Sequence, residues 1–445
     1  MIHMLSSRSS ASAWRRWRGV ALVLGGSTAI AACTDASKIL DQEAPSRVQA
    51  KDLDNPVYAQ LLVNAAVGDF ECALANYIVA TALTGDELID AQLSQVGWDY
   101  DRRTIFPASS PYSLNQCGVT QVPGLYTPLS VARFDADNIL RKLQNWTDAQ
   151  VANRTSLIAT AATYAGFSLE LIGEAMCSAA IDLGPEMTRQ QFFVAAEDRF
   201  TTALAAAQAS GNTTLLNAAL VGRARARLNQ KTAAKLANAR DDAVAVPNDF
   251  VLNATYSGTI ARRENMVWSQ MYRGLFSSVD PSYRGVTWAG VPDPRVNVVD
   301  AGVNGVDQAT RIWRQTKYPA IGSPIPIARW AEAQLIVAEA DNEAGNTASA
   351  VNFINALHTK AGIPPYAGGT QAEVRAQIIE ERRRELFLEG QRFGDIVRLD
   401  LTLQPAANTP YPVKGGLYGT ARGSQLCFPL PDVERNNNPN IPKAP

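Results

Sequence analysis

Residues 34–55 are polar, with few large apolar side chains, and the pattern changes at Pro56. From there Val57, Leu61, Leu62, Ala65 and Ala66 recur at three- and four-residue spacing, continued by Leu74, Ile78 and Leu83, which predicts an amphipathic helix. Pro128, at a favoured first-turn position, opens a second helix carrying Leu129, Ala132, Ala136, Ile139, Leu140 and Leu143. A third is predicted from about Val151 to Leu183, ended by Gly184-Pro185. Thr188 and Gln191 then form a capping box ahead of Phe192, Phe193, Ala196 and Phe200. The segments Leu215 to Asn229 and Thr232 to Val246 read as a pair of Ala- and Arg-rich helices closing at Pro247. Their length and small-residue placement fit a tetratricopeptide-like unit, and a similar pair recurs over Arg329 to Gly362.

Residues 248–325 interrupt this period. Tyr256, Trp268, Tyr272, Phe276, Tyr283, Trp288, Trp313 and Tyr318 lie there among Gly285, Gly290, Pro292, Pro294, Gly302 and Gly305. Long irregular stretches within a compact domain are usually functional. Helical patterning resumes over Pro326 to Ala344, and a capping box at Thr370 and Glu373 begins a helix ending at Gly390. Ile378, Arg382 and Leu386 share one face of it, placing a guanidinium in an apolar stripe that needs a carboxylate, from Glu385, Glu389 or a glutamate of a neighbouring helix. The expected role is a structural ionic latch rather than an anion site.

The N-terminus changes the picture of where the chain works. Arg8, Arg15, Arg16 and Arg18 precede an apolar run from Gly19 to Ala32, too short to span a bilayer, and Ile30-Ala31-Ala32-Cys33 has the form of a bacterial lipobox. The expectation is a signal peptide over 1–32, a lipidated tether over 33–55 anchored by acylated Cys33, and one domain over 56–445. Within that domain, helical scaffold is expected over 56–247 and 326–390, a loop-rich ligand lobe over 248–325, and a C-terminal segment over 391–445.

Removing the leader leaves 37 basic against 42 acidic side chains, a net charge of −5, which offers no attraction to nucleic acid. Of the two histidines, His3 falls in the leader, so a His-rich metal centre is excluded and His-dependent nucleophilic catalysis has only His358 to use. Cys72, Cys117, Cys177 and Cys427 permit two disulfides in an oxidising compartment, with connectivity open and buried thiols as the alternative.

The C-terminal third resembles the SusD/RagB family of outer-membrane nutrient-binding lipoproteins. The resemblance is carried by Pro326-Ile327-Ala328-Arg329-Trp330-Ala331-Glu332 through Ala338-Glu339-Ala340, and by Asn355-Ala356-Leu357-His358-Thr359-Lys360-Ala361-Gly362-Ile363. It continues in Glu381-Arg382-Arg383-Arg384-Glu385-Leu386-Phe387-Leu388-Glu389-Gly390-Gln391-Arg392 and closes on Phe428-Pro429-Leu430-Pro431 with Glu434 and Asn438-Pro439-Asn440. It implies a mainly α fold, SusD-like, with tetratricopeptide-like helix pairs forming a superhelical scaffold beside a less regular lobe. It also implies a cell-surface-facing outer-membrane lipoprotein without cofactor or catalytic residues, and a SusC-like TonB-dependent transporter as partner. The implied cargo is oligosaccharide or, in some members, peptide.

Sugar binding without turnover rests on flat aromatic faces and a few polar side chains. Trp98, Asp99 and Tyr100, together with Tyr283, Arg284, Trp288 and Trp313, are the candidate ligand-binding residues on that basis. A peptide-binding helical scaffold is the alternative, and the aromatic lobe, which a pure scaffold does not need, is what separates the two.

Overall fold

The computed structural model describes residues 53–93, 95–108, 111–118, 121–412 and 421–443. Cys33 and the leader lie outside these residues. The chain from Asp54 to Pro445 forms one compact unit.

The apolar period at Pro56 becomes helix α1 (Ala59–Thr84), which the short β1 (Leu88–Asp90) and α2 (Gln95–Arg102) follow. Next come α3 (Tyr126–Asn145) and α4 (Arg154–Ala175). Helices α1 and α4 are long and apolar enough to cross a bilayer, yet 83% of each apolar window is buried inside the protein. They are core helices, buried on all sides over most of their length, although the first turns of α1 leave Leu61 exposed.

The predicted 151–183 helix stops early. At Ala175 the chain turns into the hairpin β2 (Ser178–Ala180) and β3 (Glu186–Thr188), where tertiary pairing with Phe428 overrides the local apolar run. Thr188 then caps α5 (Arg189–Ser210) reciprocally with Gln191, as its spacing predicts. Helices α6 (Thr213–Asn229) and α7 (Ala233–Val244) complete the first stack, each packed on its predecessor.

Small residues set the helix separations. A Cβ on Gly166 of α4 would come within 2.8 Å of the Phe200 ring, and one on Gly222 of α6 closer still. Phe200 of α5 fills the space both glycines leave, edge-on to Phe167 at 4.8 Å.

The loop-rich lobe is built from two-stranded antiparallel pieces. Strand β4 (Val251–Ala254) pairs with β10 (Ile325–Arg329), and β5 (Ser277–Val279) pairs with β1. Strand β6 (Thr287–Trp288) pairs with β7 (Val291–Pro292), and β8 (Val298–Asn304) with β9 (Arg311–Gln315). The chain returns to helix in α8 (Trp330–Glu343), α9 (Thr347–Ala361), α10 (Gln371–Glu385) and α11 (Arg392–Arg398). Helix α10 ends before Gly390, because Leu388 takes a positive φ of 54° and its N–H donates to buried Glu87 at 2.7 Å.

Among the described residues, Cys72 pairs with Cys117 and Cys177 with Cys427.

Candidate functional site

The segment Glu381 to Arg398 is a fastener. Arg382 bonds Asp395 at 2.7 Å, so its partner is Asp395 and not Glu385 or Glu389, which the helical stripe offers. Glu385 and Glu389 instead hold Arg329 at 2.7 and 2.8 Å, Glu385 also takes Arg295 at 3.3 Å, and Glu389 takes Lys317 at 2.5 Å. Arg398 joins Asp395 to Glu339, and Arg392 reaches Asp86 at 2.6 Å. These pairs tie α10 and α11 to β10, to the 293–317 lobe and to the end of α1. In the structure Arg382, Glu385 and Glu389 are all engaged in ion pairs, Arg382 with Asp395 and the two glutamates with Arg329.

His358 has the same character. It is 1% exposed, with Nδ1 2.7 Å from the Pro364 carbonyl, Nε2 2.9 Å from Glu381, and the edge of Trp288 against its ring. The only histidine among the described residues is thus packed into the core.

Several sequence-predicted ligand residues are core residues. Trp98 is 2% exposed on α2, its indole N–H donating to the Gln92 carbonyl at 2.7 Å. Tyr100 is fully buried, donating to Pro123 and lying edge-on to Phe428. Asp99 between them pairs with Arg102 at 2.5 Å. Burial pushes the Asp99 carboxyl up, against Arg102 and Thr104. These residues form a helix whose apolar side packs inward. Tyr283 is likewise buried, stacked on Phe387 at 4.7 Å with the Arg383 guanidinium 4.5 Å from its ring centre.

The remaining candidates are half-exposed. Trp288 ends β6, before a turn in which Ala289 and Gly290 both have positive φ, as a two-residue hairpin requires. Its N–H donates to the Pro364 carbonyl at 2.8 Å, docking the hairpin on the end of α9. Trp313 on β9 carries the Arg284 guanidinium 5.0 Å from its ring centre, and Arg284 is held in place by the Val279 carbonyl. The structure brings Arg284 and Trp313 together, while Trp288 and Trp98 belong to other neighbourhoods.

A site that the sequence pattern leaves among general lobe aromatics lies on the segment before β5. Trp268 and Tyr272 are half-exposed and stack with ring centres 5.5 Å apart and planes 4° from parallel. Residues Ser269–Arg273 form a single π-turn, closed by the Gly274 N–H to Ser269 bond. Such turns insert a residue, re-aim the side chains around them and recur at functional sites.

Each ring is fixed by its polar end. The Trp268 N–H donates to Pro319 at 3.1 Å, and the Tyr272 hydroxyl to Gln315 at 2.7 Å. Arg314 stands 4.9 Å from the Tyr272 ring centre, its Nε donating to the Met271 carbonyl. Because strand side chains alternate, neighbouring Trp313 and Arg314 serve opposite faces of the β8–β9 hairpin. Arg273 beside the pair is bound to Glu264 at 2.7 Å. The result is a rigid two-ring platform bordered by guanidinium groups. The only signal of it in the sequence is the Trp268/Tyr272 spacing of four within the aromatic lobe.

Residues 307–445 match the SusD family model, from the end of the lobe through the ionic fastener. The C-terminal third of the chain is therefore similar to the SusD family. SusD-like protein P2 of Formosa agariphila is 36% identical over 128 residues, 26% of this chain and 25% of that protein. Starch-binding protein SusD of Bacteroides thetaiotaomicron is 29% identical over 170 residues, 36% of this chain and 30% of that protein. The matched stretch thus spans between a quarter and a third of these relatives. A SusD-like carbohydrate binding protein from Bacteroides vulgatus superposes with a TM-score of 0.62 at 16% identity, covering 87% of this chain and 97% of that one. Surface glycan-binding protein A from Bacteroides uniformis gives 0.63 at 15% identity, covering 86% and 98%. At these identities the structures establish the shared fold, which is mainly helical and SusD-like.

Proposed function

We propose that the protein is a non-catalytic glycan-binding lipoprotein, tethered to the outer membrane through acylated Cys33, which passes oligosaccharide to a SusC-like TonB-dependent transporter. The observation that carries the binding part is the half-exposed, parallel-stacked Trp268–Tyr272 pair. Pyranose rings present an apolar C–H face to flat aromatics, while guanidinium groups such as Arg314 donate to ring hydroxyls. Trp313 with Arg284 offers a second ring-and-cation pair of the same kind. The names of the starch-binding and surface glycan-binding relatives support the same reading. Lipidation and transport coupling rest on the lipobox and on the family resemblance.

Isothermal titration of the unlipidated protein against a panel of oligosaccharides and peptides tests the proposal. An oligosaccharide is expected to bind, and Trp268→Ala to weaken it by about 1–3 kcal/mol, the range of an aromatic truncation at a binding site. Trp288→Ala is expected to act less, its ring being engaged with Pro364 and His358. Undiminished binding in Trp268→Ala sinks the platform, and a response to peptides alone sinks the glycan reading.

A further inference from the structure

A second concave site lies on different elements from the aromatic platform. A cleft of about 340 Å³ is bounded by the first turn of α5 (Arg189, Gln190, Phe193), the α6–α7 turn at Lys231, and Arg398 of α11. Two of its cations lack a carboxylate partner. The Lys231 ammonium makes no hydrogen bond or ion pair among the described residues, and Arg189 donates only to the Gly173 and Glu174 carbonyls, at 2.8 and 2.6 Å. Arg398 is already matched by Glu339 and Asp395. The carboxylates acting on the open pair are few: Asp400 acts on Lys231, and Glu174, acting on Arg189, is itself pushed up by burial. Lys231 is exposed, and partial desolvation followed by the neighbouring Arg398 and Arg189 lowers its ammonium.

The backbone at this turn points the same way. Lys231 has a φ of 62°, where glycine or asparagine is the ordinary choice and a long side chain carries strain. Arg189 and Gln190 begin a 22-residue helix, whose positive dipole end adds to the local field. The volume exceeds that of a bare inorganic ion, and Phe193 and Val397 supply apolar wall.

We propose that this cleft binds a sugar-sized organic carboxylate, with Lys231 and Arg189 taking the anionic group and Phe193 and Val397 flanking its body. The site is independent of the Trp268–Tyr272 platform, so either can fail without the other.

The test is titration of the protein with glucuronate, inorganic phosphate and glucose at fixed ionic strength. Saturable glucuronate binding is expected, at least tenfold tighter than phosphate and absent for glucose. Lys231→Gly, which suits the positive φ and keeps the turn, is expected to weaken glucuronate at least tenfold with an undiminished Tm. Lys231→Arg is expected to retain binding, and Lys235→Ala, whose amine is paired with Glu197 outside the cleft, to leave it unchanged. Absence of saturable glucuronate binding, equal binding of glucose or phosphate, or full affinity in Lys231→Gly overturns the proposal.

Discussion

At the scale of single residues, the interior is decided by contacts that tolerate little change. Gly222 faces the Phe200 ring so closely that one added methyl has no room, and the same ring blocks Gly166. Gly222→Ala is therefore expected to lower stability by about 1–3 kcal/mol despite alanine's better helix propensity, read from urea melts. Arg225 shows the charged counterpart. It is 4% exposed, holds Glu332 through two bonds of 2.6 and 2.7 Å, donates to the Ile327 carbonyl and lies over Phe167. Arg225→Met strands a buried carboxylate and is expected to cost about 3–5 kcal/mol. Adding Glu332→Leu should recover part of that loss, because the stranded Glu332 charge is gone while buried Glu170 and Glu174 still lose the cation Arg225 supplies. A double variant as unstable as the single one would show that the pair does more than neutralise itself.

At the scale of elements, what the sequence reveals and what it hides divide along physical lines. Periodicity and capping chemistry are local, so α1, α3, α5, α6 and both capping boxes, at Thr188 and Thr370, are legible residue by residue. The β2–β3 hairpin, the early end of α10 and the burial of Trp98 and Tyr100 depend on distant partners: Phe428, Glu87 and Pro123. The stacked Trp268–Tyr272 pair is visible only as spacing, because its parallel stacking needs the π-turn.

Glu87, in the junction after α1, yields a pH prediction at this scale. Burial pushes its carboxyl from 4.5 to about 8, with Asp86 adding to the shift and the Leu388 N–H, Arg392 and Lys317 opposing it. A folded value above the unfolded one means stability is fully present below about pH 4.5 and is lost as pH rises through about 8, at up to about 1.4 kcal/mol per unit crossed. Glu87→Gln keeps the acceptor for Leu388 and cannot ionise. Thermal melts from pH 5 to 8 are expected to show a flatter stability profile for the variant, whose advantage over the parent grows with pH. Parallel profiles would mean that Glu87 ionises freely in the fold.

At the scale of the molecule, the C-terminal segment closes the structure. Phe428 is fully buried against Tyr100, Tyr112 and Phe393, its N–H bonds Ala175, its carbonyl accepts from Cys177, and the disulfide beside it joins Cys177 to Cys427 across 250 residues. The other disulfide, Cys72–Cys117, spans 45. If a crosslink acts mainly by restricting the unfolded chain, its contribution grows with the logarithm of the loop it closes. Removing Cys177–Cys427 as a Cys→Ser pair should then cost about 1.5 kcal/mol more than removing Cys72–Cys117. The extra loss should also be local, because the strand around Phe428 is what the longer bridge clamps to the end of α4. Hydrogen exchange at the Phe428 amide is expected to quicken in the Cys177/Cys427 variant and to stay slow in the Cys72/Cys117 variant. Equal destabilisation by the two pairs, with unchanged exchange at Phe428, would mean that the ionic fastener along α10 and α11 holds the segment without the bridge.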